Sequence, residues 1–409
     1  MVDLASLASL ASLAVTGLSL ALWVGLLAFR GGFWRADQRL PDRPPNHLPG
    51  RPPDQPEWPG VVIVIPARNE APTIGRAVAS LLDQDYPGRV SVVVVDDNSD
   101  DGTFYAAGAG QAAVQGTETS GRLTVISGEP LAPGWSGKLW AVKQGLVAAR
   151  DIDGDAPYVL LTDADILHDR QSLLRLVAKA EGDNLDLVSL MVRLRAETFW
   201  ERLLIPAFVF FFQKLFPFPW VNDPSRGTAA AAGGCLLVRR PALEKMGGVD
   251  AIRGRLIDDC ALAEAIKQNG PIWLGLTAKV ESLRSYDGLG EIWRMVTRTA
   301  YEQLGNSPLL LAGAVLGMTV LYLVPPLAAF LGGDPWIVGA AVVTWWGLME
   351  MAYGPTLRLY GMPLVWGLLL PVSAFLFTLM TVASAIRHWQ GRGRGWKGRT
   401  YGPGTVPNR

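Results

Sequence analysis

VLLTDADI (Val159–Ile166) is the stretch from which the rest of the sequence can be interpreted. Its apolar residues form a run typical of a strand buried inside a sheet, and the run ends in Asp163-Ala164-Asp165. Two carboxylates at the end of a buried strand are costly unless a cation satisfies them. Mg²⁺ and Mn²⁺ prefer oxygen ligands and are commonly shared between one or two carboxylates and phosphate groups. The stretch therefore predicts a metal-linked diphosphate site; the alternative is an acidic pair that merely ends a strand.

The composition argues against one class of function and favours another. The chain has 409 residues, 49% of them hydrophobic, and its 37 Lys and Arg residues balance its 37 Asp and Glu residues. Nucleic-acid-binding proteins are expected to present a basic face, so the neutral balance argues against a nucleic-acid partner. The apolar residues are concentrated near both ends, a distribution typical of a membrane protein with a soluble middle part.

Cysteine and histidine are scarce. The two cysteines, Cys235 and Cys260, provide no disulfide framework and fit a reducing compartment. The three histidines, His47, His168 and His388, are widely separated along the chain. The sequence therefore argues against a zinc site or a nucleophilic triad, because both need histidine or cysteine side chains.

Residues 1–30 are predicted to form a transmembrane anchor. Leu4–Phe29 is apolar and longer than the roughly 20 residues that cross a bilayer as a helix. A cleavable signal would begin with basic residues, and none precedes Arg30, so we expect the helix to be retained. Basic residues follow it, which puts the N-terminus outside and the next domain in the cytoplasm. Residues 31–59, with eight prolines between Pro41 and Pro59, are predicted to be a semi-rigid linker.

From Val61 onward the pattern alternates between strands and helices. Apolar, β-branched runs predict strands, and Thr73–Leu82 has helical periodicity. The predicted strands are Val61–Ile65, Val90–Val95, Leu123–Ile126 and Tyr158–Thr162. This order predicts an α/β domain with a mostly parallel sheet, whose ligands bind beyond the carboxyl ends of the strands. Five carboxylates fall at those ends, and we expect one crevice to hold them: Glu70, Asp96, Asp97, Asp163 and Asp165.

Carboxylates gathered in one crevice need cations nearby. Arg68 follows the first strand, and Lys138 ends a glycine-bearing loop, Gly134–Lys138, where backbone could approach a phosphate. The loop is not a Walker A motif, because its glycine spacing differs and Leu139 follows the lysine. The alternative for Lys138 is an ordinary solvated lysine.

Two later stretches carry candidate functional residues. AAAAGGCLLV (Ala229–Val238) leads into a strand, and Gly233 and Gly234 would let backbone approach a sugar or another strand. The alternative there is tight helix packing. Asp258 and Asp259 precede a helical segment; one of them could be the helix N-cap, and a pair invites a second role as a general base.

Four motifs together resemble the family-2 glycosyltransferases with the GT-A fold. They are IVIPARNE (Ile63–Glu70), VVVVDDNSDDGT (Val92–Thr103), LLTDADI (Leu160–Ile166) and IDDCALA (Ile257–Ala263). Further stretches are similar to the bacterial hopene-associated glycosyltransferases: SGKLWAVKQG (Ser136–Gly145), VSLMVRLR (Val188–Arg195), FWERLLIPAFVFFFQKLFPFPWVNDP (Phe199–Pro224), AAAAGGCLLVRR (Ala229–Arg240) and WKGRTY (Trp396–Tyr401).

The resemblance implies a role for each matching residue in a domain spanning 60–302. Residues of the first two motifs would hold a nucleotide-sugar donor: Pro66, Arg68, Glu70, Asp96 and Asp97. Asp163 and Asp165 would bind a divalent metal, Mg²⁺ or Mn²⁺, carrying the donor's diphosphate, with Lys138 near the donor. Residues near the substrate would be Gly233, Gly234, Asp258 and Arg298. Asp259 would be the catalytic base, taking a proton from an acceptor hydroxyl in a displacement that inverts the sugar's anomeric carbon.

The chain departs from the family pattern in two places. Asp258 stands where Glu is usual, and Met295–Thr299 replaces the Gln-x-x-Arg-Trp of processive synthases, of which only Arg298 remains. The resemblance therefore implies transfer of a single sugar rather than polymerisation.

The remaining apolar segments predict how the chain meets the membrane. Segment 199–222 includes Leu203–Phe212, too short for an ordinary span, and is predicted to lie at the interface and admit a lipid acceptor; the alternative is soluble core. Residues 303–388 contain three apolar segments, and residues 389–409 form a basic tail. Three full spans would put that tail outside, against the positive-inside rule, so we expect the short middle segment, Trp336–Met351, to be re-entrant or interfacial.

The predicted protein is thus a multi-pass enzyme of the bacterial inner membrane with a cytoplasmic catalytic domain. Its partners would be a nucleotide-sugar and a lipid, with a hopanoid suggested by the resemblance alone. Two other functions fit the same architecture: a transporter with a cytosolic domain, or a catalytically inactive sensor of sugar nucleotides. The low intramembrane charge apart from Glu350 argues against the transporter.

Overall fold

Strand β1 is an interior strand of the sheet that positions the candidate site. The computed structural model describes residues 4–42, 58–114, 122–391, 395–396 and 399–400, with side chains described for 9–42, 58–114 and 122–391. The chain divides into two compact units. The sheet unit contains Asp37–Arg195 and Trp220–Ser285, and the helical unit contains Met1–Ala36, Ala196–Pro219 and Tyr286–Gly393.

The strands are β1 (Val61–Ala67), β2 (Val90–Asp96), β3 (Leu123–Ser127), β4 (Tyr158–Thr162), β5 (Ile166–His168), β6 (Leu187–Arg193), β7 (Cys235–Arg239), β8 (Ile272–Ser282), β9 (Gly395–Trp396) and β10 (Arg399–Thr400). The helices are α1 (Leu4–Phe29), α2 (Ala71–Leu82), α3 (Thr103–Ala112), α4 (Gly137–Ile152), α5 (Ser172–Gly182), α6 (Phe199–Leu215), α7 (Phe218–Asn222), α8 (Arg240–Lys245), α9 (Asp258–Lys267), α10 (Leu289–Thr297), α11 (Pro308–Met318), α12 (Val324–Leu331), α13 (Pro335–Val342), α14 (Glu350–Leu359) and α15 (Leu370–Trp389).

The sheet is mixed. Within the described residues, eight strands follow the order β3-β2-β1-β4-β7-β6-β8-β5. Strands β3, β2, β1 and β4 are parallel, whereas β7 runs antiparallel to both β4 and β6. The predicted α/β class is confirmed, and parallel pairing holds for the four strands recognised from the sequence. The strand order changes direction between β1 and β4, and ligands of open α/β sheets bind beyond the carboxyl ends at such a point.

Three of the four predicted strands, β1, β2 and β4, are buried on both faces, as their apolar runs require, whereas the edge strand β3 is only partly buried. Every residue of β1 and β4 is buried, and a core cluster extends from β1 through β2 and β4 to α2 and α5. Helix α4 approaches β1 closely at Gly145, where an added Cβ would lie 2.4 Å from Cγ1 of Val64. The absence of a side chain at Gly145 therefore lets α4 lie directly against the sheet.

The units cut across two of the predicted domain boundaries. The predicted catalytic domain runs to residue 302, but residues from Tyr286 onward belong to the helical unit. In the predicted linker, Phe33–Arg35 forms a 3₁₀ turn and Arg39 bridges to Leu276. Linker residues 43–57 and tail residues 392–394, 397–398 and 401–409 lie outside the described residues, so the predictions for them stay predictions.

The helical unit contains helices that can cross a membrane. In the described part of the chain, four helices are long and apolar enough to do so: Ser9–Phe29, Pro308–Leu331, Pro335–Leu359 and Leu364–Trp389. Large apolar side chains on these helices face outward, including Phe330 and Trp336, which are 78% and 81% exposed. Such exposure is costly in water and favourable in lipid, which indicates membrane association.

The middle C-terminal segment is longer than the sequence suggests. Its helix spans 25 residues, Pro335–Leu359, and Pro355 lies inside α14 rather than at the end of the segment. A π-helical stretch, Val343–Met349, joins α13 to α14 and keeps the helix continuous. Shortness was therefore a wrong reason for treating this segment as re-entrant.

Helix α6 is an integral part of the helical unit. Ser373 Oγ donates to the carbonyl of Leu203 at 2.8 Å, and Gln213 Nε2 donates to Thr356 Oγ1 at 3.2 Å. A capping box begins the helix, in which Thr198 and Glu201 satisfy each other's backbone N–H groups. The apolar run in α6 thus packs against α14 and α15 rather than forming part of the sheet unit's core.

Candidate active site

The acidic side chains singled out from the sequence do follow strand ends on one edge of the sheet. Strand β1 ends at Ala67, β2 at Asp96 and β4 at Thr162. Because β1, β2 and β4 are parallel, the residues after them emerge at the same edge. Asp163 follows β4 directly, and Glu70 and Asp97 lie in the loops after β1 and β2.

A pocket at this edge collects residues from six parts of the chain. Among the predicted site residues, Pro66, Lys138, Asp163, Gly233, Asp258 and Asp259 line it. Asp163 follows β4, Lys138 is in the first turn of α4, and Asp258 and Asp259 are in the first turn of α9. The N-terminal ends of two helices therefore face the pocket, and their dipoles favour an anion there.

Lys138 joins the two acidic segments of the pocket. Its Nζ lies 2.8 Å from Oδ1 of Asp163 and 3.5 Å from Oδ2 of Asp258. Ser136 is the N-cap of helix α4, and its Oγ accepts a hydrogen bond from the Leu139 N–H and so fixes the first turn. Burial lowers the pKa of the Lys138 ammonium, but the charges of Asp163 and Asp258 outweigh it and hold that pKa well above its ordinary value. Lys138 is therefore cationic in the pocket rather than solvated.

The backbone of Gly233 holds Asp259. The Gly233 N–H donates to Oδ2 of Asp259 at 2.8 Å, and the Cys260 N–H donates to Oδ1 at 2.8 Å. A Cβ at position 233 would lie 3.2 Å from Lys138 Nζ and 3.4 Å from Asp259 Oδ2, so a side chain there would crowd both charged groups. The backbone at Gly233 thus closely approaches the Asp259 side chain, and the predicted approach to a sugar stays a prediction. Ala229–Gly234 is not helical, and the alternative of tight helix packing is wrong.

Neither aspartate of the pair is the helix N-cap. Ile257 occupies that position, and Asp258 and Asp259 are the first two residues of α9. One carboxylate oxygen of Asp259 therefore accepts from Gly233 on a neighbouring segment, and the other accepts from Cys260 in its own helix. Burial and the charge of Asp258 raise the pKa of Asp259 from 3.8 to about 6, against the opposing effects of Lys138 and the two backbone N–H groups.

The acids after β1 and β2 lie outside the lining of this pocket. Asp96 Oδ1 accepts a hydrogen bond from the Ser99 N–H at 3.2 Å, and the Glu70 N–H donates to Thr103 Oγ1 at 2.8 Å. Asp97 is fully buried, with Oδ2 at 3.9 Å from Nη1 of Arg68. The expected single crevice is thus a shared sheet edge on which Asp163 meets Asp258 and Asp259, while Glu70, Asp96 and Asp97 form the adjoining β1–β2 part.

Asn69 and Asn98 shape these two loops. Both have positive φ angles, 52° and 53°, which asparagine tolerates better than most residues. The Asn69 N–H donates to Ser99 Oγ at 3.0 Å, and the Asp100 N–H donates to Asn69 Oδ1 at 3.1 Å. The PARNE and DDNSDD motifs therefore hold each other at the sheet edge.

The predicted metal ligands do not form a complete cage by themselves. Among residues with described side chains, no group of three or more His, Cys, Asp or Glu could hold a metal ion. Asp165 Oδ2 accepts a hydrogen bond from Ser282 Oγ at 3.3 Å, whereas Asp163 faces the pocket. A hard cation carried by a diphosphate needs only one or two protein carboxylates, so Asp163 fits that kind of binding rather than an all-protein site, and the role of Asp165 stays a prediction.

Arg298 and Gly234 complete the predicted set. Arg298 lies in the helical unit, directly after α10, and its role near a substrate stays a prediction. Gly234 does not line the pocket; an added Cβ would lie 3.0 Å from Cγ2 of Val192, so this glycine permits packing against β6.

Several pocket residues were not singled out from the sequence. Thr162 precedes Asp163 and lines the pocket, and the rest of the wall is apolar: Leu139, Val142, Leu161, Leu236, Val249, Ile252 and Leu262. Leu139 and Val142 follow Lys138 at helical spacing, which could have indicated them. The contributions from β7 and from Val249–Ile252 depend on tertiary contacts that carry no local signal.

Residues 62–247 match the profile of glycosyl transferase family 2. An N-acetylglucosaminyltransferase from Mesorhizobium japonicum is 46% identical over 59 residues, which cover 13% of this chain and 14% of that protein. The chain therefore matches only about one seventh of the length of that relative.

Solved structures show the fold. The mannosyltransferase PcManGT from Pyrobaculum calidifontis, in complex with GDP-Man and Mn²⁺, is 19% identical, with 92% of this chain and 99% of that chain covered and a TM-score of 0.51. Glucosyl-3-phosphoglycerate synthase from Mycobacterium tuberculosis is 21% identical, with 63% and 86% covered and a TM-score of 0.39. Residues 62–247 thus match the glycosyl transferase family 2 profile, and the mixed sheet and the similarity to PcManGT show a GT-A-like fold.

Proposed function

We propose that the protein is a membrane-associated glycosyltransferase that moves a single sugar from a nucleotide-sugar to an acceptor hydroxyl, with inversion at the anomeric carbon. One observation carries the proposal. Within a glycosyl transferase family 2 domain, Asp163, Lys138, Asp258 and Asp259 meet in one pocket, although they come from separate segments of the sequence. This is the set of groups that a sugar–diphosphate displacement requires.

Asp259 is the proposed base. Its carboxylate accepts hydrogen bonds from two backbone N–H groups. These amides hold the carboxylate in place and do not protonate it. A raised pKa of about 6 makes it a better proton acceptor than an ordinary aspartate while leaving it ionised near neutral pH. Asp259 would take the acceptor's hydroxyl proton as the oxygen attacks the sugar.

Lys138 and the helix N-terminal ends would stabilise the departing diphosphate. The ammonium of Lys138 is already 2.8 Å from Asp163, so it lies where a donor's phosphate would approach that carboxylate. When bound, Mg²⁺ or Mn²⁺ would be held by Asp163 and Asp165 and would supply charge neutralisation to the diphosphate. Pro66, Arg68, Glu70, Asp96 and Asp97 would bind the nucleoside at the adjoining loops, and Gly233 and Asp258 would border the substrate.

A lipid is the proposed acceptor. Four helices able to cross a membrane, together with α6, form the helical unit, and α6 follows directly in sequence on the last residues of the sheet unit. An enzyme held in the membrane encounters an acceptor that resides in the same membrane more often than a soluble one. We include hopanoid-related lipids among the candidates because of the motif resemblance, and we place the catalytic unit in the cytoplasm at the bacterial inner membrane.

The proposal is tested by screening nucleotide-sugars against bacterial lipid extracts, with mass spectrometry of the products and measurement of released nucleoside diphosphate. We expect one donor to give a lipid carrying one additional sugar. Release of nucleotide without any glycolipid would contradict the lipid acceptor, and products with several added sugars would contradict single transfer. No turnover of any nucleotide-sugar would contradict the enzymatic function and favour a sensor.

Asp259→Asn tests the base. The amide keeps the size of the side chain but cannot accept the proton, so kcat should fall by roughly 10²- to 10⁴-fold while nucleotide binding persists. Isothermal titration with UDP and GDP measures the binding. Wild-type turnover by this variant would remove the base assignment. Asp183→Asn, which changes an exposed carboxylate paired with Lys179, is the matched control.

A further inference from the structure

The turn that holds Asp259 is fixed by two buried hydroxyl groups. The Ala232 N–H donates to Ser189 Oγ at 2.9 Å, and Ser189 Oγ donates to the Ala232 carbonyl at 3.3 Å. On the other side of Gly233, Thr162 Oγ1 donates to the Gly234 carbonyl at 2.8 Å. Gly233, whose N–H holds Asp259, is thereby fixed from both sides.

The Thr162 hydroxyl has one proton, and its direction decides the arrangement. A carbonyl oxygen can only accept, so the proton of Thr162 must point to Gly234. His168 Nε2 lies 3.0 Å from the same Thr162 oxygen and must therefore be the donor in that contact. The neutral His168 ring thus carries its proton on Nε2, and its Nδ1 must accept.

The other side of the ring is consistent with this tautomer. Ser172 Oγ lies 3.3 Å from His168 Nδ1 and can donate to it. Ser172 Oγ can also donate to Gln84 Oε1 at 3.2 Å, and that amide oxygen accepts the Leu173 N–H with its other lone pair, so the tautomer is set by the Thr162 contact. His168 is fully enclosed, and burial lowers the pKa of its imidazole to about 3, so the ring stays neutral at working pH.

From these contacts we propose that His168 is a positioning residue for catalysis. Its Nε2–H holds the Thr162 hydroxyl against the Gly234 carbonyl, and this keeps the Gly233 N–H on the carboxylate of Asp259. The inference rests on the proposed role of Asp259 as the base. An ordinary buried histidine would contribute to folding alone, whereas this one also determines where the base lies.

Nuclear magnetic resonance of the full-length protein in detergent, labelled with ¹⁵N-histidine, tests the proton direction without any assay of activity. The sequence has three histidines, so the His168→Gln variant identifies the His168 signals by their loss. We expect a neutral ring protonated on Nε2 throughout pH 6–8. A ring protonated on Nδ1, or one that titrates in this range, would overturn the inference.

Kinetics of paired variants test the positioning role. Thr162→Val keeps the shape but removes the hydroxyl, and His168→Phe removes the donor; each should lower kcat at least tenfold while the KM for the nucleotide-sugar changes less than twofold. Thr162→Ser and His168→Gln retain a hydroxyl and an N–H donor, and they should recover most of the kcat. This split between kcat and KM, with rescue, would not follow from a loss of stability alone.

Tyr158→Phe is the matched control for stability. It removes a buried hydrogen bond from the opposite end of β4, where Tyr158 Oη donates to Glu181 Oε1 at 2.5 Å. We expect a lower Tm and an unchanged kcat. Folded Thr162→Val and His168→Phe proteins with wild-type kcat would overturn this inference alone, whereas a wild-type protein that turns over no nucleotide-sugar would overturn the proposed function with it.

Discussion

Lys138 shows how single residues make the acidic pocket possible. Three carboxylates around one space would repel each other, and an ammonium 2.8 Å from Asp163 and 3.5 Å from Asp258 offsets much of that repulsion. Asp259 is affected differently, because it lies in the wall and interacts with backbone N–H groups. Aspartates close in space therefore carry different properties: Asp163 is paired with a cation, and Asp259 has a raised pKa.

The pKa of Asp259 predicts how activity depends on pH. A base must be ionised, and a pKa of about 6 means that the active fraction falls below pH 6, with kcat/KM dropping about tenfold per pH unit. Between about pH 4 and 6 the folded protein binds this proton more tightly than the unfolded chain does. Ionisation of Asp259 thus lowers stability as the pH rises, and loss of activity on acidification is not caused by unfolding through this group.

Initial rates between pH 5 and 8 measure the profile, with circular dichroism over the same range as the control for folding. A flat kcat/KM across that range would contradict the assignment of Asp259 as the base with a raised pKa.

The predicted metal binding depends on the individual side chains of Asp163 and Asp165. Asp163→Ala and Asp165→Ala each remove one carboxylate, and we expect the gain in UDP or GDP affinity on adding Mn²⁺ to fall from roughly tenfold or more to less than twofold. Isothermal titration with and without EDTA measures this gain. An unchanged Mn²⁺-dependent gain in both variants would argue against a metal-linked diphosphate at this strand end.

At the scale of elements, the site depends on how closely α4 approaches the sheet. Lys138 is in the first turn of α4, and Gly145 lies two turns later against β1. A Cβ at position 145 would lie 2.4 Å from Val64 Cγ1 and 3.0 Å from Val95 Cγ2. A side chain there would require α4 or the Val64 side chain to shift, and a shift of α4 would displace Lys138.

Gly145→Ala should therefore destabilise the protein, by about 1–3 kcal/mol for overpacking, partly offset by the better helix propensity of alanine. Thermal unfolding measures the change in Tm. Gly108→Ala in α3 is the matched control, because nothing lies within 4 Å of its added Cβ, and it should leave Tm unchanged or higher. Recovery of Tm in a Gly145→Ala/Val64→Ala double variant would confirm the contact; equal Tm values for Gly145→Ala and Gly108→Ala would contradict it.

At the scale of the whole molecule, the orientation of the C-terminal tail tests the membrane topology. Three C-terminal helices are long enough to cross, which would put the tail and the sheet unit on opposite sides. The tail is basic, and the positive-inside rule favours the same side for both. We expect the tail to lie in the cytoplasm, with one segment of the helical unit not crossing fully.

Single cysteines placed at Asp183 and at Thr405 report these positions by labelling intact and permeabilised cells with a membrane-impermeant maleimide. The native Cys235 is buried and Cys260 is partly so, which keeps the background low. We expect both positions to react only after permeabilisation. Labelling of position 405 in intact cells would show three full crossings and contradict the expected topology.

Local pattern was sufficient to predict β1 to β4, their parallel direction and the carboxylates that follow β1, β2 and β4, but not β5, β6 and β8. The physical reason is that burial on both faces leaves a continuous apolar run, and parallel strands deliver their carboxyl ends to one edge. The sequence by itself therefore determined which sheet edge carries these acidic residues. It did not reveal β7 as an antiparallel neighbour of β4, because its apolar run is compatible with either direction.

Only the tertiary structure decided which charges meet. The contacts of Lys138 with Asp163 and Asp258, of Gly233 with Asp259, and of His168 with Thr162 and Gly234 depend on the packing of α4, α9 and β7 around the end of β4. Such contacts produce no periodic pattern in the sequence, because each joins residues from segments that are far apart along the chain. The sequence around His168 gave no sign of a role. Its proposed positioning role was inferred from the direction of the Thr162 hydroxyl proton.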